Sequence, residues 1–329
     1  MKDNTKIYNY FTTNIEPKFK ESRSARNRQR FGSLLLVLAF LAAFVLPFVW
    51  AGIDIYTGSF NIDEVLVRSI KIFFIGFPSL LVIFFLLVIN EKILIRAYQK
   101  KVVAPLLREW DPTLVYVPTN GVSRQELLDS RFIRPRTFSL TSSNLIYLKE
   151  RDSCVKLAYA RVTHPSRGEG AGRTGFEGLF GVVENSLQTD GIICILSTAA
   201  QQHFSYLTGS SLPNHHKELK KISMNDSSFD KHYAVYTDNA TASRRVLTRD
   251  VMKRLTLLSR QGGLGVFMTF VDKKIYIGLE AKEQGLPFRF FHPDYVNLLN
   301  REGYTFDLIE KSFDQLIAVQ NIIGLPQKK

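Results

Sequence analysis

Residues 33–53 read SLLLVLAFLAAFVLPFVWAGI, and residues 72–89 read IFFIGFPSLLVIFFLLVI. Neither run holds a charged residue. A helix needs about 20 apolar residues, within a range of roughly 17–25, to cross the hydrocarbon of a bilayer. Both runs fall in that range. They are expected to form a two-helix transmembrane hairpin over residues 31–90, with spans at about 32–53 and 72–90.

The formal net charge of +13 orients this hairpin by its distribution. Residues 1–30 form a basic N-terminal segment, with Lys2, Lys6, Lys18, Lys20, Arg23, Arg26, Arg28 and Arg30 against Asp3, Glu16 and Glu21. After the second run, Lys92, Arg96, Lys100, Lys101 and Arg108 outnumber Glu91 and Glu109. Residues 52–71, between the runs, set Asp54, Asp63 and Glu64 against Arg68 and Lys71. Basic residues stay on the cytoplasmic side of short loops, so both termini are expected in the cytoplasm. Arg23, Arg26, Arg28, Arg30, Lys92, Arg96, Lys100 and Lys101 then become candidate lipid head-group contacts, each contributing about 1 kcal/mol beside an anionic leaflet. The first run is too long and too far from the N-terminus for a cleavable signal peptide, so an uncleaved anchor is expected.

An ionisable residue inside a span is the usual mark of an ion path or substrate site, and neither run has one. The hairpin therefore reads as an anchor rather than a pore. Pro47, Gly76 and Pro78 mark places where membrane helices tolerate a kink. Cys154 and Cys194 lack a second cysteine or histidine at ligand spacing, which predicts two small buried thiols and no disulfide framework.

Beyond the hairpin, residues 91–121 read as a juxtamembrane helix and linker. EKILIRAYQKKVVAPLLREW (91–110) keeps apolar residues at near-helical spacing, Pro105 interrupts its continuity, and Asp111-Pro112 closes it. Val115 to Gly121 is turn-rich and serves as the linker. Residues 122–329 then read as an α+β domain, mainly an antiparallel sheet with covering helices. A short helix is expected at Ser123–Ser130. Strands are expected at 137–140, 144–149, 155–162, 178–184, 191–196, 233–237, 266–271 and 274–279. The last two, joined by Asp272-Lys273, make the strongest hairpin in the chain. Thr248 caps a helix to Gln261 with Leu247, Val251, Leu255 and Leu258 on one face and Gly262-Gly263 as its stop. Further helices are expected at 293–299 and from Thr305, the latter with Leu308, Ile309, Phe313, Leu316, Ile317 and Ile323 as its apolar side.

Several segments resemble a bacterial family known as domain of unknown function 3137. They are Tyr236-Thr237-Asp238, Ala242-Ser243-Arg244, Leu247-Thr248 and Phe270-Val271-Asp272, with KKVVAPLLREWDPTLVYVP (100–118), DSRFI (129–133), FEGLFGVVE (176–184) and the pair of spans. The resemblance runs from about Phe31 to the C-terminus, with Arg249 where the family often has proline. It implies a two-span membrane protein with a C-terminal cytoplasmic domain in the bacterial cytoplasmic (inner) membrane. It implies no activity.

Local motifs name no reaction. The stretch Gly168–Gly175 lacks the Lys-Ser/Thr pair of a P-loop and a strand-loop-helix setting, and reads as a mobile inter-strand loop. Its backbone amides with Arg167 and Arg173 form a candidate anion site. His215 and His216 are adjacent and point apart on any regular element, while His164, His203, His232 and His292 stand alone. No catalytic, cofactor or metal residues are assigned. Arg244, Arg245, Arg249 and Lys253 form a basic cluster, a candidate site for a protein partner or an anion. Nucleic acid is disfavoured because no recognition motif accompanies the charge. The reading is a membrane-anchored cytoplasmic binding or adaptor module without catalysis, with a protein partner or a second copy and with anionic lipid as its partners. The alternatives are a subunit of a transport or secretion assembly, and a membrane-bound enzyme whose site would join Asp238, Arg244 and Asp272.

Overall fold

This computed structural model describes residues 8–17, scattered positions from 31 to 93, then 96–132, 138–150, 153–165, 173–184, 189–198, 200, 219–260, 265–280, 316 and 319. The chain divides into two compact units, essentially Asp3–Val102 and Val103–Lys329. Most of each apolar run lies outside the described residues. Among the described residues no helix is long and apolar enough to cross a membrane.

In the second unit the strands are β1 (Val115–Val117), β2 (Ser139–Glu150), β3 (Ser153–His164), β4 (Arg173–Glu184), β5 (Ile193–Ser197), β6 (Lys220–Ile222), β7 (Tyr233–Thr237), β8 (Gly265–Val271) and β9 (Lys274–Glu280). They form one sheet in the order β1-β2-β3-β4-β9-β8-β5-β7-β6, antiparallel at every pairing. The first four strands are a meander. The β8–β9 hairpin returns late in the chain to fill the gap between β4 and β5. Its turn places Val271 opposite Lys274, and Asp272 takes a φ of +53° there, a conformation tight hairpins demand and aspartate tolerates.

Successive side chains of a strand leave on opposite faces, and here both faces are covered. One carries Ala158, Phe180, Leu196, Phe267 and Tyr276 in a single core cluster. The other buries Leu157, Leu179, Ile195, Met268 and Ile277. Burial on both sides explains why these strands read as nearly continuous apolar runs. Aromatic contacts fix the first face: the Phe267 ring lies 4.5 Å from Phe132 and 5.3 Å from Phe176. Gly278 sits between Phe180 and Phe267 in the register, and a Cβ there would overlap the Phe267 ring.

The helices are α1 (Ala104–Trp110), α2 (Arg124–Asp129), α3 (Ser227–Asp230), α4 (Ala240–Val246) and α5 (Arg249–Arg260). Helix α2 begins with a capping box. The Ser123 hydroxyl accepts from Glu126 N, and a Glu126 carboxylate oxygen accepts from Ser123 N at 2.8 Å. Its first residue, Arg124, lays its guanidinium 4.2 Å from the Phe138 ring centre and donates to the Phe138 carbonyl. Ahead of α1, a π-helical turn spans Gln99–Val103. Pro105 has no N–H and crowds the carbonyl four residues earlier, and the wider turn falls on that stretch. Helix therefore continues past Pro105 to Trp110, and Asp111 ends it as expected.

Several expectations change. Two short strands expected at 137–140 and 144–149 form the single strand β2, bulged where Asn144 adopts a φ of +60°. Val115–Val117, expected as linker, enters the sheet as β1 by pairing with Leu145, Ile146 and Tyr147 of β2, beside which Tyr116 donates to the Asn144 side chain at 2.6 Å. Strand β4 starts at Arg173, which takes the last residues of the glycine-rich stretch into the sheet. The expected helix from Thr248 is preceded by a second one, α4, with the break at Leu247-Thr248. Both cysteines are free, but only Cys194 is buried; Cys154 is exposed beside the β2–β3 turn. The expected C-terminal helices lie outside the described residues apart from Leu316 and Val319, which are helical and buried.

Because the Phe267 ring is hemmed in on two sides, Gly278→Ala is expected to lower stability by roughly 1–3 kcal/mol. An unchanged melting temperature of the purified chain would show that the ring moves aside freely.

Candidate functional site

The basic cluster rests on the segment that leaves β7. Thr237 Oγ1 accepts from Asn239 N at 3.0 Å, and the Asn239 side chain accepts from Ala242 N at 3.0 Å, capping α4. That helix buries Ala242, Ser243 and Val246 and leaves Arg244 and Arg245 exposed. After the break, α5 buries Val251, Met252, Leu255 and Leu258. The Tyr233 hydroxyl donates to the Leu255 carbonyl at 2.7 Å, fastening α5 to β7. Arg249, Asp250, Lys253, Arg254 and Leu257 face outward. Arg244, Arg245, Arg249 and Lys253 are thus all exposed on two consecutive helices.

Near this cluster the loop Thr189–Ile192 binds two neighbours. Thr189 donates from its backbone and its hydroxyl to the Asp272 carbonyl, at 3.0 and 2.9 Å. An Asp238 carboxylate oxygen accepts from Ile192 N at 2.8 Å. Gly191 has a φ of +95°, and a Cβ on it would run into the Asp238 carboxylate. Asp238 and Asp272 therefore meet at one end of the sheet, but through backbone and loop bonds. Arg244 stays on the exposed side of α4. The ion pair here is instead Arg245 with Asp190, at 4.0 Å and with both side chains about 70% exposed, a separation and exposure that contribute little. These bonds hold the loop before β5 to this end of the sheet.

The remaining candidates are scattered. Arg173 opens β4 opposite His164, while Arg167 and Gly168 to Gly172, the rest of the expected anion site, lie outside the described residues. Arg96, Lys100 and Lys101 are exposed on helical backbone; Arg23, Arg26, Arg28, Arg30 and Lys92 lie outside the described residues. Among the described residues no group of three or more histidine, cysteine or acidic side chains could hold a metal ion. Burial pushes the Cys194 thiol up to about 12, opposed weakly by a hydrogen bond from Thr269, so it stays a protonated thiol at neutral pH rather than a nucleophile.

Sequence reasoning passed over the pair formed by Glu126 and Lys156, at 3.1 Å. The signal for half of it was present, since Ser123-Arg124-Gln125-Glu126 has the capping-box spacing; the cross-strand lysine had none. Burial works against the Glu126 charge, but the bonds from Ser123 and Lys156 outweigh it and hold the carboxyl below its ordinary value of 4.5. The hydrogen bond to Glu126 holds Lys156 above its ordinary value of 10.5, against a burial effect.

Residues 174–325 match the family model described as a protein of unknown function, DUF3137. The DUF3137 match begins in β4 and takes in the central hairpin, β5 to β7 and both basic helices. It leaves out the apolar runs and β1 to β3, a shorter reach than the resemblance from Phe31 suggested. No curated protein matches the sequence. One solved structure, the mycobacterial trehalose monomycolate transport factor A, TtfA, overlaps 72% of this chain and 98% of its own at 8% identity and a TM-score of 0.35. That score is too low to establish a common fold.

The Glu126 carboxylate contributes stability above pH 4.5 and loses that contribution as pH falls through its lowered folded value. Glu126→Gln is expected to cost about 1 kcal/mol at neutral pH, and the gap to the wild type should close in acid. Thermal unfolding between pH 7 and pH 3 checks this; a gap that stays constant with pH would assign the cost to packing alone.

Proposed function

We propose that this chain is a membrane-anchored, non-catalytic binding module, with its sheet domain on the cytoplasmic side and the two apolar runs as its hairpin anchor. One observation carries the proposal. Phe31, Leu34, Leu38, Leu41, Val45, Val49 and Ile53 all have helical backbone, and each is between 49% and 64% exposed. The run they stand in, residues 31–53, holds no charged residue, and as an α-helix it would extend over about 33 Å, close to the roughly 30 Å of bilayer hydrocarbon. Water is a poor solvent for such side chains, because each apolar Å² left exposed forgoes about 25 cal/mol. Lipid removes that cost.

The cytoplasmic placement rests on the basic residues on either side of the runs and the acidic excess between them. Tyr98, Val102, Leu106 and Trp110 are buried at four-residue spacing, whereas Arg96, Lys100 and Arg108 are exposed, as suits a helix beside anionic head groups. A binding role follows from where the charge lies. Asp238 and Glu126 are engaged in holding the fold, while Arg244, Arg249 and Lys253 stand on the surface.

The chain is expected to stay in the membrane pellet after alkaline carbonate extraction; its release into the supernatant would end the anchor reading. Reporter fusions within 54–61 and after Lys329 are expected outside and inside, respectively. A C-terminal reporter found outside would invert the topology and separate the basic helices from the cytoplasm.

A further inference from the structure

Among the described residues of the second unit, large apolar side chains are turned inward with few exceptions. Among the described residues beyond Val103, the exposed large hydrophobics are Val115 and Leu257. Val115 lies on an edge strand. Leu257 is 51% exposed on α5, a helix whose buried face is already complete with Val251, Met252, Leu255 and Leu258. At 3.6 residues per turn, Lys253 lies one turn before Leu257 and Arg249 one turn before that. Arg254 and Asp250 flank the same outer face, and all of these are exposed. The outer face of α5 is therefore a leucine surrounded mainly by cations, continued by Arg244 and Arg245 on α4.

We propose that the outer face of α5 docks on an anionic lipid surface, with Leu257 entering the acyl boundary and Arg249, Lys253 and Arg254 meeting the head groups. This rests on the anchored reading, which keeps the domain beside a leaflet, and it names the partner of the basic cluster. A helix lying in the interface combines one apolar projection with basic neighbours, and its binding scales with buried apolar area plus attraction to anionic lipid. Long arginine and lysine stems suit that position because they bury their methylenes while the charge stays at the head groups.

The test uses the full chain with Cys154→Ser and Asp250→Cys, labelled at residue 250 with an environment-sensitive fluorophore; Cys194 is buried and stays unlabelled. The labelled chain is reconstituted into vesicles of phosphatidylcholine alone or with added phosphatidylglycerol. Emission is expected to move to the blue only with phosphatidylglycerol, and to return when salt is raised. Adding Arg249→Gln and Lys253→Gln should lower the docked-to-free ratio about thirtyfold, and Leu257→Asn should lower it independently. Equal emission in both lipids would overturn the proposal. So would a shift that survives these substitutions, or one that requires an added acidic protein. If carbonate extraction shows that the anchor reading has failed, the same labelled chain is mixed with preformed vesicles of both compositions. The lipid contact is then read without the anchor.

Discussion

The hydrogen-bonded ladder of the β8–β9 hairpin holds the sheet together. Without it, the β1–β4 meander and the trio β5, β7 and β6 share no ladder, since β4 pairs only with β9 on that side and β5 only with β8. The closure is long range: Gly178–Glu184 must find Lys274–Glu280 about a hundred residues later in the chain. Such non-local pairing is slow to form because loop entropy is spent before the contacts repay it. The local turn eases the task. Asp272 supplies the left-handed residue, and its carbonyl receives both Thr189 bonds. The same two residues thus end the hairpin and fix the connection leading into β5.

That arrangement determines where charge is free to act. At the hairpin end, Asp238 holds Ile192, and across the sheet Glu126 is held by Ser123 and Lys156. These carboxylates are already engaged with the fold. The two helices after β7 follow a different rule. Asn239 caps α4, Leu247 and Thr248 break the helix, and Tyr233 fastens α5 by its backbone. None of these anchoring contacts uses an arginine or lysine side chain, so the fold can be stable whatever Arg244, Arg249 and Lys253 do.

The legible parts of the sequence are short apolar runs bounded by turn residues, which suit strands buried on both faces, and a helix face whose 3.6-residue period coincides with burial. The strands of 155–162, 233–237 and 266–279 and the buried face of α5 are examples. Strand β2 reads as two short strands because the polar run Thr141-Ser142-Ser143 carries no apolar alternation, and the left-handed Asn144 of its bulge cannot be told from a turn. Val115–Val117 reads as linker because Pro118 and Gly121 follow at once; its place in the sheet comes from pairing with Leu145, Ile146 and Tyr147 of β2, beside which Tyr116 reaches Asn144. Strand β6 is three residues long, Lys220–Ile222, too short for any period. The surface cluster was visible as charge, but which arginine would pair was not. Arg245 meets Asp190 only because the loop before β5 is drawn to this end of the sheet by Asp238 and Asp272.

Among the described residues of the second unit, folding accounts for nearly all the large apolar side chains, and the sheet is covered on both faces. Among those of the first, Phe31, Leu34, Leu38, Leu41, Val45, Val49 and Ile53 are about half exposed. Apolar side chains that the fold does not cover need another solvent or another surface. Leu257 raises the same question on a smaller scale, in a unit that otherwise answers it by burial. The cations around it bear on the choice of surface. A purely apolar partner would have to strip water from Arg249 and Lys253 without compensation, at a cost that grows with each buried charge. A surface with an apolar interior and an anionic margin imposes no such cost.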